Sequence, residues 1–309
     1  MPPAKPLETP SEITNLTDGE EPQQPDKKRS RGSRRPKLGQ HFLADQGAAH
    51  KLVEALGDVS EKTVIEIGPG RGALTALIAR KARRVIAIEL DRVLAAQLRM
   101  KFNRHENIEI IEGDILAIDF ATVLGQKPGL TRPGLAQRLE KARVVGNLPY
   151  YITSDILLRL FDLHEYFETL VLMVQSEVAD RLAAKPGGRE YGLLSATAQL
   201  YGKVEKLFTL PPGAFNPPPK VHSSVLRFII APQWERLRVP KRGFIGFMKL
   251  AFGQKRKTLW NNLKSAYEAQ LLTAALRKAG VQASVRAETL SLEKFAAIFR
   301  ALQPATAGQ

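Results

Sequence analysis

Four consecutive residues, Asn147-Leu148-Pro149-Tyr150, could hold a flat base by its exocyclic amine. The carboxamide oxygen of Asn147 can accept one N–H of the amine, and the backbone carbonyl of Leu148 can accept the other if Pro149 stiffens the turn. The ring of Tyr150 can stack against the base, which contributes about 1–3 kcal/mol. Taken alone, the same residues are also typical of an ordinary turn, because Asn and Pro mark loops. The surrounding elements must therefore decide between these two interpretations.

A glycine-rich segment lies upstream, between an apolar run at 63–67 and apolar residues with helical spacing. This order predicts a strand, a tight turn and a helix. Gly68 and Gly70 would let the backbone turn sharply and approach a ligand closely. The same pattern occurs in dinucleotide-binding proteins, so it does not identify the ligand by itself.

The next three predicted strands also lead into polar residues. The second strand ends in Glu89, about 20 residues after the glycines, where a carboxylate can accept from ribose hydroxyls. The third runs into Asp114, whose carboxylate can accept an adenine amine, and the fourth delivers Asn147. Because open α/β sheets bind ligands at the carboxyl ends of their strands, we expect these residues to line one site. A solvated charge at the strand end is the alternative for Glu89.

Several short segments after about residue 36 are shared with one enzyme family. They are LGQHFL at 38–43, EIGPG at 66–70, IELD at 88–91, GD at 113–114, NLPY at 147–150, VQSEVA at 174–179, PGAF at 212–215 with PPPKV at 217–221, and FGQKRKTL at 252–259. In this order the set resembles the ribosomal RNA adenine N6-dimethyltransferases, which are S-adenosylmethionine-dependent, and especially the bacterial small-subunit (16S) type. The set is highly specific, whereas no single segment is.

The resemblance implies a Rossmann-like α/β methyltransferase sheet with a small C-terminal all-helical domain, and S-adenosyl-L-methionine as cofactor. By motif position it assigns the cofactor pocket to Gln40, His41 and Leu43, the methionine part to Gly68 and Gly70, the ribose to Glu89, the adenine amine to Asp114, and both cofactor and target base to Asn147. Phe215 matches a second aromatic over the target adenine, with packing in the core as its alternative. The candidate catalytic residues are thus Asn147, Leu148, Tyr150 and Phe215. The implied activity is N6,N6-dimethylation of two adjacent adenines in small-subunit RNA, with a role in subunit biogenesis.

The chain departs from the family pattern in three places. His41 stands where the family usually has Asn, which puts a side-chain contact with the cofactor in doubt, although a backbone contact would survive. Residues 125–134 resemble an added surface loop. The N-terminal tail is longer than the motifs require.

The composition favours a polyanionic partner. The formal net charge is +15, and the pI is near 10.0, as expected for a nucleic-acid-binding protein. The sequence has no run of 18 apolar residues and no apolar signal-peptide core near its start, so we expect a cytoplasmic protein without a membrane partner. It has no cysteine, which excludes disulfides, thiolate metal sites and the zinc-dependent base deaminases. Its five His are scattered, so we expect no metal.

Composition also predicts three regions. Residues 1–36 are poor in large apolar side chains and are predicted to be a disordered tail, which ends in a basic cluster at 27–37. Residues 37–232 are predicted to form the methyltransferase domain, and 233–309 a helical RNA-binding domain. The candidates for RNA contact are Lys255, Arg256 and Lys257, with a solvated helix face as the alternative. We expect the partner to be ribosomal RNA in an immature 30S particle, bound by a monomer.

Three other functions use some of the same residues. A nucleotide-dependent oxidoreductase would need the glycine turn but not Asp114 or Asn147. A non-catalytic RNA-binding or assembly factor could have kept the fold and even the cofactor, so only turnover separates it from an enzyme. A large-subunit RNA methyltransferase that confers antibiotic resistance is the alternative within the family, although the GQKRK segment and the basic helical region resemble the small-subunit enzymes better.

Overall fold

The computed structural model describes residues 41–125 and 140–303 of the chain. The predicted tail, the candidate Gln40 and nearly all of the predicted added loop lie outside these ranges. Within them, a mixed α/β sheet is followed by a group of helices, which confirms the predicted fold class.

Seven strands of the described ranges form one sheet, and two more form a short ribbon. The strands are β1 Phe42–Leu43, β2 Thr63–Ile67, β3 Arg84–Glu89, β4 Ile108–Glu112, β5 Ala142–Asn147, β6 Phe167–Gln175, β7 Gly202–Leu210, β8 Phe215–Asn216 and β9 Ser223–Ile230. The sheet order is β4-β3-β2-β5-β6-β9-β7. Strand β9 runs antiparallel to both of its neighbours, and the other pairs are parallel. The four strands predicted from the sequence are confirmed as β2, β3, β4 and β5.

The central strands are apolar because helices cover both faces of the sheet. Successive side chains of a strand point to opposite faces. Accordingly, Ile65 and Ile86 pack in one hydrophobic cluster, whereas Val64 and Val85 pack in another on the opposite side. All four side chains are fully buried. This double burial fixes the register of the strands, and so it fixes where their carboxyl ends lie.

The α-helices follow the strands along the chain, and several of them begin after a residue whose side chain caps the helix. They are α1 Gln46–Glu54, α2 Ala73–Ala79, α3 Arg92–Lys101, α4 Phe120–Val123, α5 Thr153–Asp162, α6 Ser176–Ala183, α7 Leu193–Tyr201, α8 Trp234–Leu237, α9 Lys241–Ala251, α10 Leu259–Leu263, α11 Ala269–Lys278 and α12 Leu292–Leu302. Asp91 caps α3 by accepting a hydrogen bond from the backbone N–H of Val93 at 2.8 Å. Gly280 follows the end of α11 with φ of 64°, the left-handed conformation that glycine commonly adopts after a helix.

The hydrophobic core of the C-terminal helices is shared with part of the sheet domain. Their apolar cluster, which includes Phe244 and Phe295, also contains Tyr191, Ala196 and Leu200 from α7 and the segment before it. The apolar face of α7 is therefore shared by the two parts of the molecule. The domain boundary between 232 and 233 stays a prediction.

A two-stranded ribbon joins the start of the described chain to a distant loop. In it, Phe42 of β1 lies opposite Asn216 of β8, and Leu43 lies opposite Phe215. This pairing holds the segment from His41 to Leu43 across the carboxyl ends of β2 and β5. The ribbon could not be predicted from the sequence, because strands of two residues have no detectable periodicity.

Candidate active site

A cavity of about 280 Å³ lies where the central parallel strands end. The predicted site residues that line it are His41, Leu43, Gly68, Gly70, Glu89, Asp114, Asn147, Leu148 and Tyr150. The topology thus brings the polar ends of four strands and the N-terminal ribbon into one site. Phe215 does not line the cavity, and Gln40 lies outside the described residues.

The glycine turn forms one wall by close approach to the ribbon. Gly70 has φ of 57°, and a Cβ atom on it would lie 2.7 Å from Cδ1 of Phe42. Both the backbone conformation and the space therefore require glycine here. The guanidinium of Arg71 lies over the ring of the same Phe42, 4.8 Å from the ring centroid.

Glu89 holds this turn in place. Its side chain is 4% exposed. One carboxylate oxygen accepts from the N–H of Gly70 at 3.0 Å, and the other accepts from the N–H of Asp91 at 2.9 Å. Burial raises the pKa of Glu89. Each carboxylate oxygen keeps a free lone pair, so Glu89 can still accept from ribose hydroxyls while it shapes the turn.

The sequence reasoning missed a second buried acid, Glu66, in the middle of β2. It is 1% exposed and lines the cavity. It accepts a hydrogen bond of 2.6 Å from the hydroxyl of Thr75. Burial, with a smaller effect of the nearby Glu89, raises the pKa of Glu66 to about 7. An acid inside an otherwise apolar parallel strand was the signal that could have found it.

The side chain of Asn147 is oriented by the ribbon. Its amide nitrogen donates to the carbonyl oxygen of His41 at 2.8 Å. Since a carbonyl can only accept, the nitrogen must face His41, and the carboxamide oxygen is left as the free end. Within 41–125 and 140–303, no group donates a hydrogen bond to this oxygen or to the carbonyl oxygen of Leu148. Both acceptors needed to grip an amine are thus available at the cavity wall.

His41 is held by its side chain as well as by its backbone. Its Nδ1 lies 2.8 Å from the carbonyl oxygen of Pro217. Its ring is stacked on Tyr150, with centroids 5.9 Å apart and planes at 27°. The Tyr150 hydroxyl lies 2.6 Å from the hydroxyl of Ser223, and burial raises the pKa of Tyr150. The His that departs from the family pattern is therefore fixed as a half-buried part of the wall, and its contact with the cofactor stays a prediction.

Phe215 is located differently from the sequence-based expectation of a ring over the target base. It is 3% exposed, and its side chain belongs to the hydrophobic cluster beneath the ribbon, with Leu210 and Val225. Its neighbour Asn216 lines the cavity instead. This placement favours the packing alternative, because a ring enclosed by aliphatic side chains presents no face to a base.

The remaining predicted residues lie on the surface. Asp114 is exposed at the cavity rim, where its carboxylate accepts from the N–H of Leu116 at 2.9 Å. The exposed residues Lys255, Arg256 and Lys257 lie in the turn between α9 and α10. None of these three forms an ion pair with an acid in the described part of the chain. Their positive charges are therefore available to phosphates.

The cavity's lining is compatible with a nucleoside that carries an amino acid. Carboxylates lie at the ends of β3 and near β4, glycine backbone lies at the first turn, and apolar side chains such as Ile67, Ile88 and Ile115 fill the intervals. The space above Gly70 would be lost to any larger residue. These features fit a ribose, an adenine amine and a methionine chain, but they do not name the enzyme.

A family model described as ribosomal RNA adenine dimethylase matches residues 31–304. The chain belongs to this family. Its cofactor is S-adenosyl-L-methionine, and the protein is a methyltransferase that acts on adenine in ribosomal RNA. The nucleotide-dependent oxidoreductase is thereby set aside.

Curated relatives and solved structures agree with the family match. The chain is 57% identical over 276 residues to ribosomal RNA small subunit methyltransferase A of Koribacter versatilis, covering 89% of this chain and 97% of the relative. It is 40% identical to the protein of the same name from Geobacter metallireducens, covering 87% and 95%. Among solved structures, it is similar to the 23S rRNA methyltransferase ErmE, with a TM-score of 0.64, 26% identity and coverage of 84% and 99%. A dimethyladenosine transferase from Plasmodium falciparum has the same fold, with a TM-score of 0.67, 24% identity and coverage of 84% and 96%.

Two kinds of feature, a membrane-spanning helix and a metal-binding cluster, are absent from the described residues. Among the described residues, no helix has the length and apolar character needed to cross a membrane. The same residues contain no group of three or more His, Asp or Glu side chains placed to hold a metal ion.

Replacing Glu66 by Gln should stabilise the protein more at about pH 8 than at about pH 5. The folded-state pKa of about 7 lies above the ordinary 4.5. The folded protein therefore keeps a proton that the unfolded chain releases, and the stability of the parent falls as the pH rises between these values. Gln cannot ionise and can still accept from Thr75. We expect a difference of about 1–3 kcal/mol between the two pH values, measured by denaturant unfolding.

The exposed Glu54→Gln is the matched control and should show no such difference. An equal effect of Glu66→Gln at both pH values would contradict a raised pKa at this site.

Replacing Glu89 by Ala should weaken cofactor binding by about 1.5–3 kcal/mol, the range for a lost hydrogen bond to a charged group. Glu112 lies opposite Glu89 on the neighbouring strand and does not line the cavity, so Glu112→Ala is the control. Calorimetry with S-adenosylhomocysteine measures the affinity, and thermal unfolding reports separately on the loss of the hydrogen bond from Gly70. Unchanged affinity would rule out Glu89 as the ribose ligand.

Proposed function

We propose that this enzyme transfers two methyl groups to N6 of each of two adjacent adenines in small-subunit (16S) ribosomal RNA. The observation that carries the proposal is the pair of free acceptors, the Asn147 carboxamide oxygen and the Leu148 carbonyl oxygen, on the wall of a methyltransferase cavity. The choice of the small subunit is supported by the relatives named as small-subunit enzymes, one of which is 57% identical over most of both chains. The solved large-subunit enzyme is 26% identical.

The two acceptors would bind the adenine amine, which is the weak nucleophile of the reaction. The N6 lone pair of adenine is delocalised into the ring, so the free amine is a poor nucleophile. If the Asn147 carboxamide oxygen and the Leu148 carbonyl oxygen accept hydrogen bonds from the two N–H groups of the amine, the nitrogen is held with its lone pair free of the ring. The lone pair then points out of the plane of the two N–H bonds. S-adenosylmethionine supplies an activated methyl group on a sulfonium sulfur.

No general base is required before the attack, because the amine can lose its proton afterwards. Asn147 cannot remove a proton at neutral pH, and its role is to hold and orient. Its orientation depends on the bond to the His41 carbonyl, and positioning of this kind lowers the barrier by reducing the entropy lost on reaction. For the second transfer, the methylated amine must rotate and present its remaining hydrogen to the same acceptors.

The target base must leave its stack to reach the cavity. Unstacking costs least in loops and at helix ends, so we infer that the adenines lie in such a region of the RNA. Selection among the many adenines of a ribosome needs contacts outside the cavity. We assign these to phosphate contacts by the turn of Lys255, Arg256 and Lys257, which set the register of the RNA without reading its bases.

We propose that the substrate is RNA in an immature 30S particle, because the modified base must be accessible and already folded into its loop. We propose that the enzyme acts as a monomer in the cytoplasm, where such particles assemble.

The proposed function is tested with labelled cofactor. The enzyme is incubated with immature small subunits or, as a control, with large subunits, and the RNA is digested to nucleosides. Label in N6,N6-dimethyladenosine from small subunits alone is the expected result. Label from the large subunit alone would show that the enzyme is a large-subunit RNA methyltransferase, the alternative within the family.

Replacing Asn147 by Ala should reduce methyl transfer by at least about a hundredfold, the size of effect seen when one hydrogen-bonding group is removed from a transition-state site. Affinity for RNA should stay close to that of the parent, because phosphate contacts supply most of it. Single-turnover rates and RNA binding are measured on the same preparations. Exposed Asn103→Ala is the control, and a rate for Asn147→Ala within a few-fold of the parent would refute the amine-gripping role.

Replacing Lys255, Arg256 and Lys257 together by Ala should lower methylation of small subunits at least tenfold, or about 1.4 kcal/mol in transition-state terms. Cofactor affinity and thermal stability should be nearly unchanged, since all three side chains are exposed. The control removes the same charge from Arg80, Lys81 and Arg104, which lie near the amino ends of the strands, away from the cavity. If both variants lose activity equally, total charge and not this turn governs RNA binding.

A further inference from the structure

A cluster of three aromatic rings lies where the sheet meets the C-terminal helices. Trp234 of α8 packs against the hydrophobic cluster of the sheet and also against that of the helices. The ring of Tyr201, at the end of α7, lies 4.9 Å from it between centroids, with the planes at 88°. The imidazole of His164, which begins a short 3₁₀ turn before β6, packs edgewise against both rings at 5.5 and 5.9 Å. The rings therefore join segments from both sides of the junction.

Lys241, the first residue of α9, extends into this cluster. Its Nζ lies 5.4 Å from the centroid of the Tyr201 ring and 5.8 Å from that of Trp234, which is the range of a cation–π contact. The same Nζ lies 3.6 Å from a carboxylate oxygen of Asp162, the last residue of α5. The Tyr201 hydroxyl donates to that oxygen at 3.3 Å. One ammonium group thus links the start of α9 to the ends of α5 and α7.

The third ring does not oppose this contact. Burial, followed by the nearby charge of Lys241, lowers the pKa of His164. The imidazole is therefore uncharged at neutral pH and does not repel the ammonium.

Lys241 is poorly placed to stabilise its own helix. The N-terminal end of a helix carries partial positive charge, so a cation there is unfavourable. Pro240 precedes it, and no side chain caps the start of α9. The next residue, Arg242, is also a cation, but it is exposed and forms no ion pair or ring contact in the part of the chain that the structure describes. The contacts of Lys241 are therefore explained by the junction and not by the helix.

The direction of α9 matters because the basic turn with Lys255, Arg256 and Lys257 follows its far end. The helix has 11 residues and is about 16 Å long. A tilt of about 10° at its first residue moves the far end by about 3 Å, the length of a hydrogen bond. Apolar attraction has no preferred direction, so the shared core sets this tilt less strictly than a charge held between fixed partners does.

We propose that Lys241 is a positioning residue, which holds the start of α9 against the sheet and so sets the place of the basic turn relative to the cavity. This inference rests on the proposed function, which assigns RNA contacts to that turn. Lys241 does not line the cavity and touches neither cofactor nor target base there. Its loss should therefore impair recognition of the small subunit and leave cofactor binding intact.

The first test separates the charge of Lys241 from that of its neighbour. Lys241→Met keeps the apolar stem and should lower kcat/KM for immature small subunits at least about fivefold, chiefly through a higher KM. Lys241→Arg keeps a cation that can lie over the rings and should restore activity to within about threefold of the parent. Affinity for S-adenosylhomocysteine should be unchanged in both. Arg242→Met removes the same charge from the same turn and should resemble the parent. Equal kinetics of Lys241→Met and Arg242→Met would overturn the inference.

A double-mutant cycle shows whether Lys241 acts through the basic turn. When Lys255, Arg256 and Lys257 are already replaced by Ala, Lys241→Met should cause little further loss, because residues that act through one contact are not additive. Losses that simply multiply would mean that Lys241 acts by another route and would contradict the proposal. Parental activity of the triple variant alone would instead refute the RNA-binding role proposed for the turn.

The position of α9 can also be measured without turnover. Because the chain has no cysteine, Asn103→Cys and Leu250→Cys place two spin labels at exposed sites, one after α3 and the other near the far end of α9. The otherwise unchanged protein and Arg242→Met should give the same narrow distribution of distances between the labels, and Lys241→Met a shifted or broader one. An unchanged distribution in Lys241→Met would overturn the positioning role, whatever the activity.

Discussion

The hydrogen bond from the Asn147 amide nitrogen to the His41 carbonyl oxygen connects the parts of this molecule that matter for its chemistry. It joins the end of a central strand to the N-terminal ribbon. It also decides which end of a nearly symmetrical side chain points into the cavity. The ribbon is in turn held by the pairing of Phe42 with Asn216 and by the contact of Phe42 with Gly70. A polar side chain at the carboxyl end of a central strand is thus oriented by residues more than a hundred positions earlier in the chain.

The outline of this arrangement could be predicted, because it depends on regular periodicity. Buried strands such as β2 and β3 read as apolar runs, and the residues at their ends could be located from topology alone. Glu89 and Asn147 were found in this way. The roles assigned to individual cofactor- and RNA-binding residues stay predictions, since family membership does not test them one by one.

Other features depend on contacts that leave no periodic signal. The ribbon is too short to show alternation, so neither the stacking of His41 on Tyr150 nor the enclosure of Phe215 could be read from the sequence. Glu66 was visible as an acid within an apolar strand, but its significance depends on burial next to Glu89. Motif matching names the residue types at a site, whereas tertiary packing determines which of their surfaces remain open.

The core shared between α7 and the C-terminal helices has a consequence for how the enzyme uses RNA. Because Tyr191, Ala196 and Leu200 pack with the helices, cutting the chain after the sheet would uncover apolar side chains on both pieces. The two parts should therefore unfold together. The shared packing then fixes the distance from the cavity to the basic turn. Under the RNA-binding role proposed for that turn, an RNA segment must span the same distance to contact both. The enzyme would thus select its substrate by the distance between the target base and the phosphates that contact the basic turn.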